Sequence, residues 1–435
     1  MNAKPLIVLT VATVALAGGA FVMTRNPTHT TGAQTPLQAV KLIEGLSGKV
    51  ASVTTIEMKD DKRTLTFRRA NAQSPWTVAD RFDYPAVDRV GNLLGTLVSM
   101  SIIEEKTSKP ERYSRIGVED PAAPGSTGRL VTLKDSAGAI VASLIVGTAG
   151  EAGAPMQGGD KASVHVRRAG EAASYLVSGS LQPDTDPMSW IERTILQLER
   201  NRVKSVNVTR IDDPFFSPDD PAKSNVLDVF RDSEKDVNFK VKGLPPGRTL
   251  KYDGAGDQPA TVLGYLYVED VLPAEQVDFS KVEPAAVGPV KPDPKSTPVR
   301  STSRFVTFDG LVISVKTTKQ SGKHWLALSA AFDPAEVAPV PPAPEVKVGE
   351  KPPETPKRKS AEAVKKEADD LNAKLGKWAF AVPEYSMTQL AARLADLLAD
   401  PPAKPEQPGP PTGIPQPSVD PAANDGGILT PEAPK

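Results

Sequence analysis

The three histidines are the side chains best suited to acid–base catalysis, and their surroundings argue against that role. His29 lies in a polar stretch, His165 alternates with two valines, and His324 precedes Trp325 at a predicted turn. A Ser-His-Asp device needs a histidine that a carboxylate orients, and no Gly-x-Ser-x-Gly motif accompanies any serine. We therefore predict no catalytic residues and no enzymatic activity. An enzyme would need carboxylates that folding brings together from distant parts of the chain.

Pairs of aspartates are the best candidates for metal ligands. They are Asp184 and Asp186, Asp212 and Asp213, and Asp219 and Asp220. Each pair adjoins a proline, a setting in which aspartate commonly accepts hydrogen bonds from its own turn. The glycine and the distant glutamate of a calcium loop are missing, as are the P-loop and dinucleotide-binding motifs. No metal and no cofactor is predicted.

The composition limits the possible partners and chemistry. In the 435 residues, 52 Lys and Arg balance 53 Asp and Glu, whereas nucleic-acid-binding proteins usually carry excess positive charge. Nucleic acid is therefore not a predicted partner. The chain has no cysteine, which excludes disulfides and thiolate chemistry. Its length suits two or three domains, and its 43 prolines predict long linkers.

The amino terminus carries the clearest signal for location. Residues 6–23 contain no charged side chain, and as a helix they have about the length that crosses ~30 Å of hydrocarbon. With Lys4 inside, we predict a single-pass anchor in the inner (cytoplasmic) membrane and a periplasmic body. Two alternatives stay open. Cleavage near Ala15-Leu16-Ala17 would release an exported protein, or the segment would be a buried helix of a cytoplasmic protein.

Periodic apolar residues predict most of the secondary structure. Alternation around Ile56, Leu65 and Phe67 predicts short strands, and Pro85 is predicted to start a helix. Further strands are predicted at residues 130–133, 140–146, 164–166 and 175–177, and a short helix at 190–198.

A similar order of segments recurs later in the chain and predicts an internal duplication. The matches join residues 49–53 with 202–206, 66–68 with 229–231, 76–78 with 239–241, and 128–133 with 303–308. The alternative is that β-rich sequences share such valine patterns by chance. We predict an α+β fold of two similar β-rich units with packing helices, one N-terminal transmembrane helix and a disordered C-terminal tail.

The predicted organisation is based on these patterns. Its segments are a transmembrane anchor (1–26), a spacer (27–48), a first α+β unit (49–200), a second α+β unit (201–333) with a Pro-rich insertion (282–298), a Pro-rich linker (334–359), a helical end completing the second unit (360–400) and a disordered Pro-rich tail (401–435). In the helical end, Ser360 and Ser386 are predicted to begin two helices. Residues 378–382 between them resemble residues 76–78.

One stretch resembles a known bacterial family. Residues 113–121 (YSRIGVEDP), a strand pair near Leu130 and Leu144, and the residues 190–196 (WIERTIL) are similar to the family with domain of unknown function 4340. The likeness covers roughly residues 50–210. It implies a singly anchored envelope protein, and some members resemble companions of ABC-type transporters related to gliding motility. It implies no catalytic residues.

These features together predict a non-enzymatic, membrane-anchored scaffold or accessory subunit, which the resemblance links to an ABC-type transport or gliding-related system. The expected partners are the membrane, through the anchor, and another envelope protein, recruited at exposed strand edges. The alternative is an extracytoplasmic module that binds a glycan or a small molecule in a cleft between the repeats.

Overall fold

The computed structural model describes residues 40–150, 162–284, 297–339 and 358–400. The chain divides into two compact units, unit 1 up to Ile191 and unit 2 from Glu192. The sequence predicts this division too late, between residues 200 and 201. The intervening residues belong to unit 2 because the strand Thr194–Leu196 pairs with Leu266–Tyr267.

Unit 1 contains one antiparallel sheet of nine strands. They are β1 (Val53–Lys59), β2 (Thr64–Arg68), β3 (Thr77–Val78), β4 (Tyr84–Pro85), β5 (Ile102–Glu105), β6 (Arg129–Asp135), β7 (Ile140–Ala149), β8 (Ser163–Arg168) and β9 (Ser174–Ser178). Their order in the sheet is β4-β3-β2-β1-β6-β7-β8-β9-β5. Helices α1 (Leu46–Lys49) and α2 (Arg89–Ser99) accompany the sheet. Helix α2 buries Val90, Leu93, Leu94 and Leu97, the spacing of one helical face.

Unit 2 contains a second antiparallel sheet and a separate strand pair. The strands are β10 (Thr194–Leu196), β11 (Val203–Ile211), β12 (Val226–Phe230), β13 (Lys240–Val241), β14 (Leu266–Tyr267), β15 (Asp270–Pro273), β16 (Arg300–Thr307), β17 (Leu311–Gln320), β18 (Lys323–Phe332) and β19 (Trp378–Val382). The sheet order is β13-β12-β11-β16-β17-β18-β19-β15. The helices are α3 (Asp257–Thr261), α4 (Ala361–Leu375), α5 (Glu384–Leu390) and α6 (Leu394–Leu397).

The two sheets share one strand order. Apart from the edge strand β4, each strand of the first sheet has a counterpart at the same place in the second and in the same chain order. The bulge near the start of β1, between Val53 and Thr55, recurs in β11 between Val203 and Ser205. The framework of unit 2 therefore repeats that of unit 1.

The strand register corrects three of the predicted sequence matches. Ile56 pairs with Phe67 and Leu133 just as Val206 pairs with Val229 and Phe305. In this register the predicted alignments of residues 49–53 and of residues 128–133 with unit 2 are each wrong by three residues. The alignment of residues 66–68 is wrong by one residue. The match of residues 76–78 with 239–241 is confirmed by the pairing of β3 and β13. Val50 and Val53 are three residues apart, as are Val203 and Val206, so Val53 can be aligned with either Val203 or Val206 and the apolar pattern alone does not fix the register.

An arginine marks the same position in both units, half-buried in unit 1 and buried in unit 2. Arg69 donates to Val53 O (2.7 Å) and Val50 O (2.8 Å), and its guanidinium lies 4.6 Å from the Trp76 ring centroid. Arg231 donates to Val203 O (2.6 Å), and its guanidinium lies 4.5 Å from the Phe239 ring centroid. Burial lowers the pKa of both guanidinium groups. Each arginine ties the turn before the first strand to the strand beside it.

The predicted α+β class is wrong. Two large antiparallel sheets dominate, and the helices are few and short, the longest described one being the 15-residue helix α4. Alternating strand residues supply most of the buried core, so the helices contribute only patches of it. The predicted transmembrane helix finds no support: across the ranges that the structure covers, no helix is both long enough and apolar enough to span a membrane. The predicted anchor (1–26), His29 and the tail (401–435) lie outside those ranges.

The C-terminal segment shows both a correct and an incorrect helix start. Ser360 caps helix α4 by accepting from Ala363 N at 3.3 Å, as predicted. Helix α5 instead begins at Glu384, and Ser386 lies buried within it. The strand β19 occupies the place of β9 rather than that of β3, because it pairs with β18 and β15. The short helix predicted at 190–198 is wrong, since strand β10 lies there.

Candidate binding site

The two units differ most plainly where their first two strands connect. In unit 1 residues 60–63 form a tight turn, in which Asp60 Oδ1 accepts from Lys62 N (2.8 Å) and Arg63 N (2.7 Å). In unit 2 the equivalent connection is the loop of residues 212–225. Loops of this length in compact domains commonly carry function, because short turns suffice to join strands.

Two ion pairs, one exposed and one buried, hold the start of this loop. The backbone of Asp212 is left-handed (φ 56°), a conformation that aspartate tolerates, and its carboxylate pairs with Arg300. The Asp213 carboxylate is almost fully buried and accepts from Arg210 Nε (2.6 Å) and Phe215 N (3.0 Å). Both carboxylates are therefore occupied in shaping the loop.

The loop and the C-terminal segment together form a groove of about 470 Å³, here named the Phe groove. Its lining residues are Asp213, Pro214, Phe215, Phe216, Ser217, Lys223, Ser224, Arg393 and Ala395. The Phe216 side chain is 47% exposed, which is unusual for a large apolar group. The Phe215 ring centroid lies 5.6 Å from the Arg393 guanidinium. The two aromatic rings make this the most apolar part of the loop surface.

The charged side chains that line the Phe groove are paired with one another or with close neighbours. Arg393 contacts Asp396 through two hydrogen bonds of 3.1 and 2.6 Å. Lys223 lies 3.2 Å from Asp220. A hydrogen bond from Lys223 and one from the backbone of Ala222 lower the pKa of the Asp220 carboxyl. Because these charges are matched, the groove suits an uncharged apolar ligand better than an ion.

A polar patch inside unit 2 positions Arg393. Ser303 Oγ donates to Leu390 O (2.6 Å), and Arg210 Nη1 donates to Ala391 O (2.6 Å). These bonds satisfy carbonyl groups at the end of α5 that have no partner within the helix. The positive charge of Arg210 also suits the negative end of the helix dipole. The segment that carries Arg393 and Ala395 is thus fixed to the sheet.

Two other cavities of unit 2 are smaller than the Phe groove. A cavity of about 250 Å³ is lined by Arg202, which lies 3.0 Å from Asp309 and 2.8 Å from Glu367. Burial would lower the pKa of Arg202, but its bonds to Glu367 and the charge of Asp309 raise it. These three side chains satisfy one another. Glu234, which also lines the cavity, accepts from Arg358 Nε through Oε1, and its Oε2 has no hydrogen-bond partner within the described ranges.

Another cavity, of about 30 Å³, is lined by residues that include Arg210 and His324. Arg210 Nη2 and His324 Nδ1 have no hydrogen-bond partner among the residues that the structure describes. Burial lowers the pKa of the His324 imidazole. This volume holds one or two water molecules and is too small for an organic ligand.

The residues that the sequence offered for chemistry turn out to be turn and strand residues. His165 Nδ1 lies 3.0 Å from Thr148 O. Asp184 accepts from Asp186 N (2.9 Å), and Asp220 accepts from Ala222 N (3.0 Å). Within the described ranges, no three His, Cys, Asp or Glu side chains lie close enough to hold a metal ion.

Sequence reasoning alone misses the residues of the Phe groove. Phe215 and Phe216 lie between aspartates and prolines without any apolar period, so the rules for strands and helices pass over them. The available signal is an adjacent aromatic pair within a loop that the other repeat lacks. Arg393 carries no signal, because only folding brings it to the loop.

Comparison with known proteins gives one match, to a family model. No curated protein and no solved structure matches the chain. A family model described as Domain of unknown function (DUF4340) matches residues 76–252, which run from β3 of unit 1 through β13 of unit 2. The match includes the loop of the Phe groove and leaves out the segment that carries Arg393. Over these residues, which are less than half of the chain, the chain is similar to the DUF4340 family.

Proposed function

We propose that the chain is a non-catalytic binding protein, a scaffold or accessory subunit, which takes a polypeptide partner in the Phe groove. The observation that carries this proposal is the exposed Phe216 beside Phe215 in a loop that the first repeat lacks. Aromatic side chains are enriched at protein interfaces, where they supply a large contact area for little lost rotamer freedom. Fixed ion pairs on both sides of the rings limit the ordering cost of binding.

Strand edges offer less to a partner than the groove does. In the described parts of the two large sheets, the edge strands β4 and β13 have two residues each, and β5 and β15 have four each. Recruitment of an extended segment needs a longer row of free backbone groups. The recognition mode expected from the sequence, strand addition at an edge, is therefore replaced in this proposal by side-chain contacts in the groove.

The experiment compares two phenylalanines of equal exposure. Phe216 and Phe82 are both 47% exposed, and Phe82 lies in unit 1. Full-length protein with Phe216→Ala or Phe82→Ala is used to capture envelope proteins, and each captured protein is then measured for affinity. We expect Phe216→Ala to weaken binding of the partner about 10-fold or more, which corresponds to ~1.4 kcal/mol. Equal capture by wild type and both variants would contradict a partner in the Phe groove.

A small ligand is the second candidate. The groove volume of about 470 Å³ lies within the usual range of ligand pockets. A metabolite held at 100 times its dissociation constant should raise the free energy of unfolding by about 2.7 kcal/mol. A thermal shift that Phe216→Ala abolishes and Phe82→Ala preserves would favour this candidate over a polypeptide.

The location of the protein is a separate part of the proposal and rests on the sequence alone. We expect the body to lie outside the cytoplasm, where its partner would be an envelope protein, as the family resemblance implied. A reporter enzyme fused behind residue 40 should then be active only outside the cytoplasm. Reporter activity inside the cell would remove the envelope part of the proposal and leave the groove untouched.

A further inference from the structure

The sequence after the last described residue has a regular spacing of prolines. Pro402, Pro405, Pro408 and Pro411 recur every three residues. Three residues are one turn of a polyproline II helix, the conformation in which proline-rich ligands are commonly recognised. The rest of the tail lacks this period.

We propose that the chain's own residues 401–411 bind in the Phe groove of unit 2. This inference rests on the proposed function in one respect, since it uses the same groove. It adds the chemical class of the ligand, a proline-rich segment, and it makes that segment a competitor of any outside partner.

The groove has the chemistry that recognises proline. Proline-rich segments dock on aromatic-lined grooves, because flat rings pack against the pyrrolidine faces and the ligand loses little entropy. The Phe groove offers the exposed ring of Phe216 and the ring of Phe215, held next to Arg393. Pro214 extends the same wall.

The charges of the two parts are compatible. In the groove, Arg393 is paired with Asp396 and Lys223 with Asp220. Residues 401–411 contain one cation, Lys404, and one anion, Glu406. Neither surface carries excess charge, so contact costs no unbalanced desolvation of an ion.

The chain can reach the groove. Ala395 lines the groove, and Ala399, whose N–H donates to Thr249 O at 2.8 Å, follows four residues later. Four extended residues span at most ~14 Å, so the fixed end of the chain lies within that distance of the groove. A ligand tethered by a short linker has an effective concentration of order millimolar, so even a weak site would be largely filled.

The test uses the absence of cysteine. In the full chain, Ser217→Cys places the one thiol of the protein in the groove, and a benzophenone maleimide is attached to it. After irradiation, digestion and mass spectrometry show which residues are cross-linked. We expect the main product to join the groove to residues 401–411 of the same molecule. Replacing Pro402, Pro405, Pro408 and Pro411 by alanine should reduce that product at least fivefold.

A matched variant controls for a general loss of proline. It replaces Pro415, Pro417, Pro421 and Pro431 by alanine, and its cross-link should equal that of the parent. The proposal is overturned by absence of the tail cross-link, by equal loss in both proline variants, or by products that join two molecules. Its failure is distinct from failure of the proposed function: partner capture lost in Phe216→Ala without a tail cross-link would remove only this inference.

Discussion

The two units share a framework of strands and differ in the connection between their first two strands. In unit 1, Asp60 closes a tight turn by binding two backbone amides, whereas in unit 2 residues 212–225 form a loop with two phenylalanines. The arginine that ties the framework together, Arg69 or Arg231, is the same in both. The comparison teaches that the shared positions carry the fold, and that the candidate site lies where the second unit departs from the first.

The largest expected effect concerns the shared arginine. Arg231 is 3% exposed and donates to Val203 O and Arg200 O, so Arg231→Met removes both hydrogen bonds, although Arg200 O still accepts from Val203 N. We expect unit 2 to lose ~3 kcal/mol of stability. Hydrogen exchange of unit 2 amides measures this loss. Arg69→Met, at a less buried site, should lower the protection of unit 1 by a smaller amount, and equal effects of either variant on both units would contradict the assignment.

The next effect concerns the polar patch at the end of helix α5 in unit 2. Ser303→Ala removes the hydroxyl that donates to Leu390 O at 2.6 Å and leaves that buried carbonyl short of one donor. We expect a loss of ~1–2 kcal/mol and faster hydrogen exchange in residues 384–400. Thr388→Ala, on the exposed face of the same helix, is the control and should change stability by no more than ~0.5 kcal/mol. Equal effects of the two substitutions would show that the patch does not fix the segment.

A smaller effect concerns the pH dependence of the stability of unit 1. In unit 1 burial would raise the pKa of Asp60 and Asp184, but hydrogen bonds from Thr185 and Ser189 hold both below the ordinary 3.8. A carboxyl with a lowered pKa in the folded state stabilises the fold above its unfolded pKa. That stability is lost as the pH falls through the folded value. Urea unfolding of unit 1 should therefore weaken below about pH 4, and Asp184→Asn should flatten the dependence. The exposed Asp61→Asn is the control, and an unchanged slope in Asp184→Asn would refute the assignment.

The smallest expected effect on stability is at the Phe groove itself. Phe216→Ala and Phe82→Ala remove rings of equal exposure, so each should change the free energy of unfolding by no more than ~0.5 kcal/mol. Chemical denaturation measures both. A much larger loss for Phe216→Ala would mean that the ring packs into the fold, and its role in binding would then be in doubt.

The sequence predicts where most strands lie but does not predict the register in which they pair. Alternation locates β2, β6, β7 and β8 because every second residue faces the core. It places the repeat correctly at residues 76–78, where Trp76 and Phe239 have few rivals nearby. Among repeated valines it slips by three residues, and it pairs Arg68 rather than Arg69 with Arg231. The hydrogen bonds that Arg69 and Arg231 donate to backbone carbonyl groups identify the correct register, and the sequence does not show these bonds.

The class of the fold and the candidate site escape prediction for a different reason. An apolar stripe such as that of α4 predicts its helix correctly. The fold class depends instead on how many strands join each sheet, and this number is set by pairing between residues that are far apart in the sequence. The groove joins residue 216 to residue 393, which are remote in sequence. The pairing of β19 with the sheet and the hydrogen bonds of Ser303 and Arg210 to the end of α5 bring them together.

The placement of β19 has a consequence for how the protein matures. Among the described strands, β15 pairs with β19 alone, although β19 follows it by about a hundred residues. As the chain is synthesised, unit 1 has all of its strands once Ser178 has emerged, whereas β15 must wait unpaired for Trp378–Val382. During that interval an unpaired strand is open to wrong partners. A chain that stopped at residue 333 would keep this hazard permanently, so shortened forms should aggregate unless they extend to Asp400.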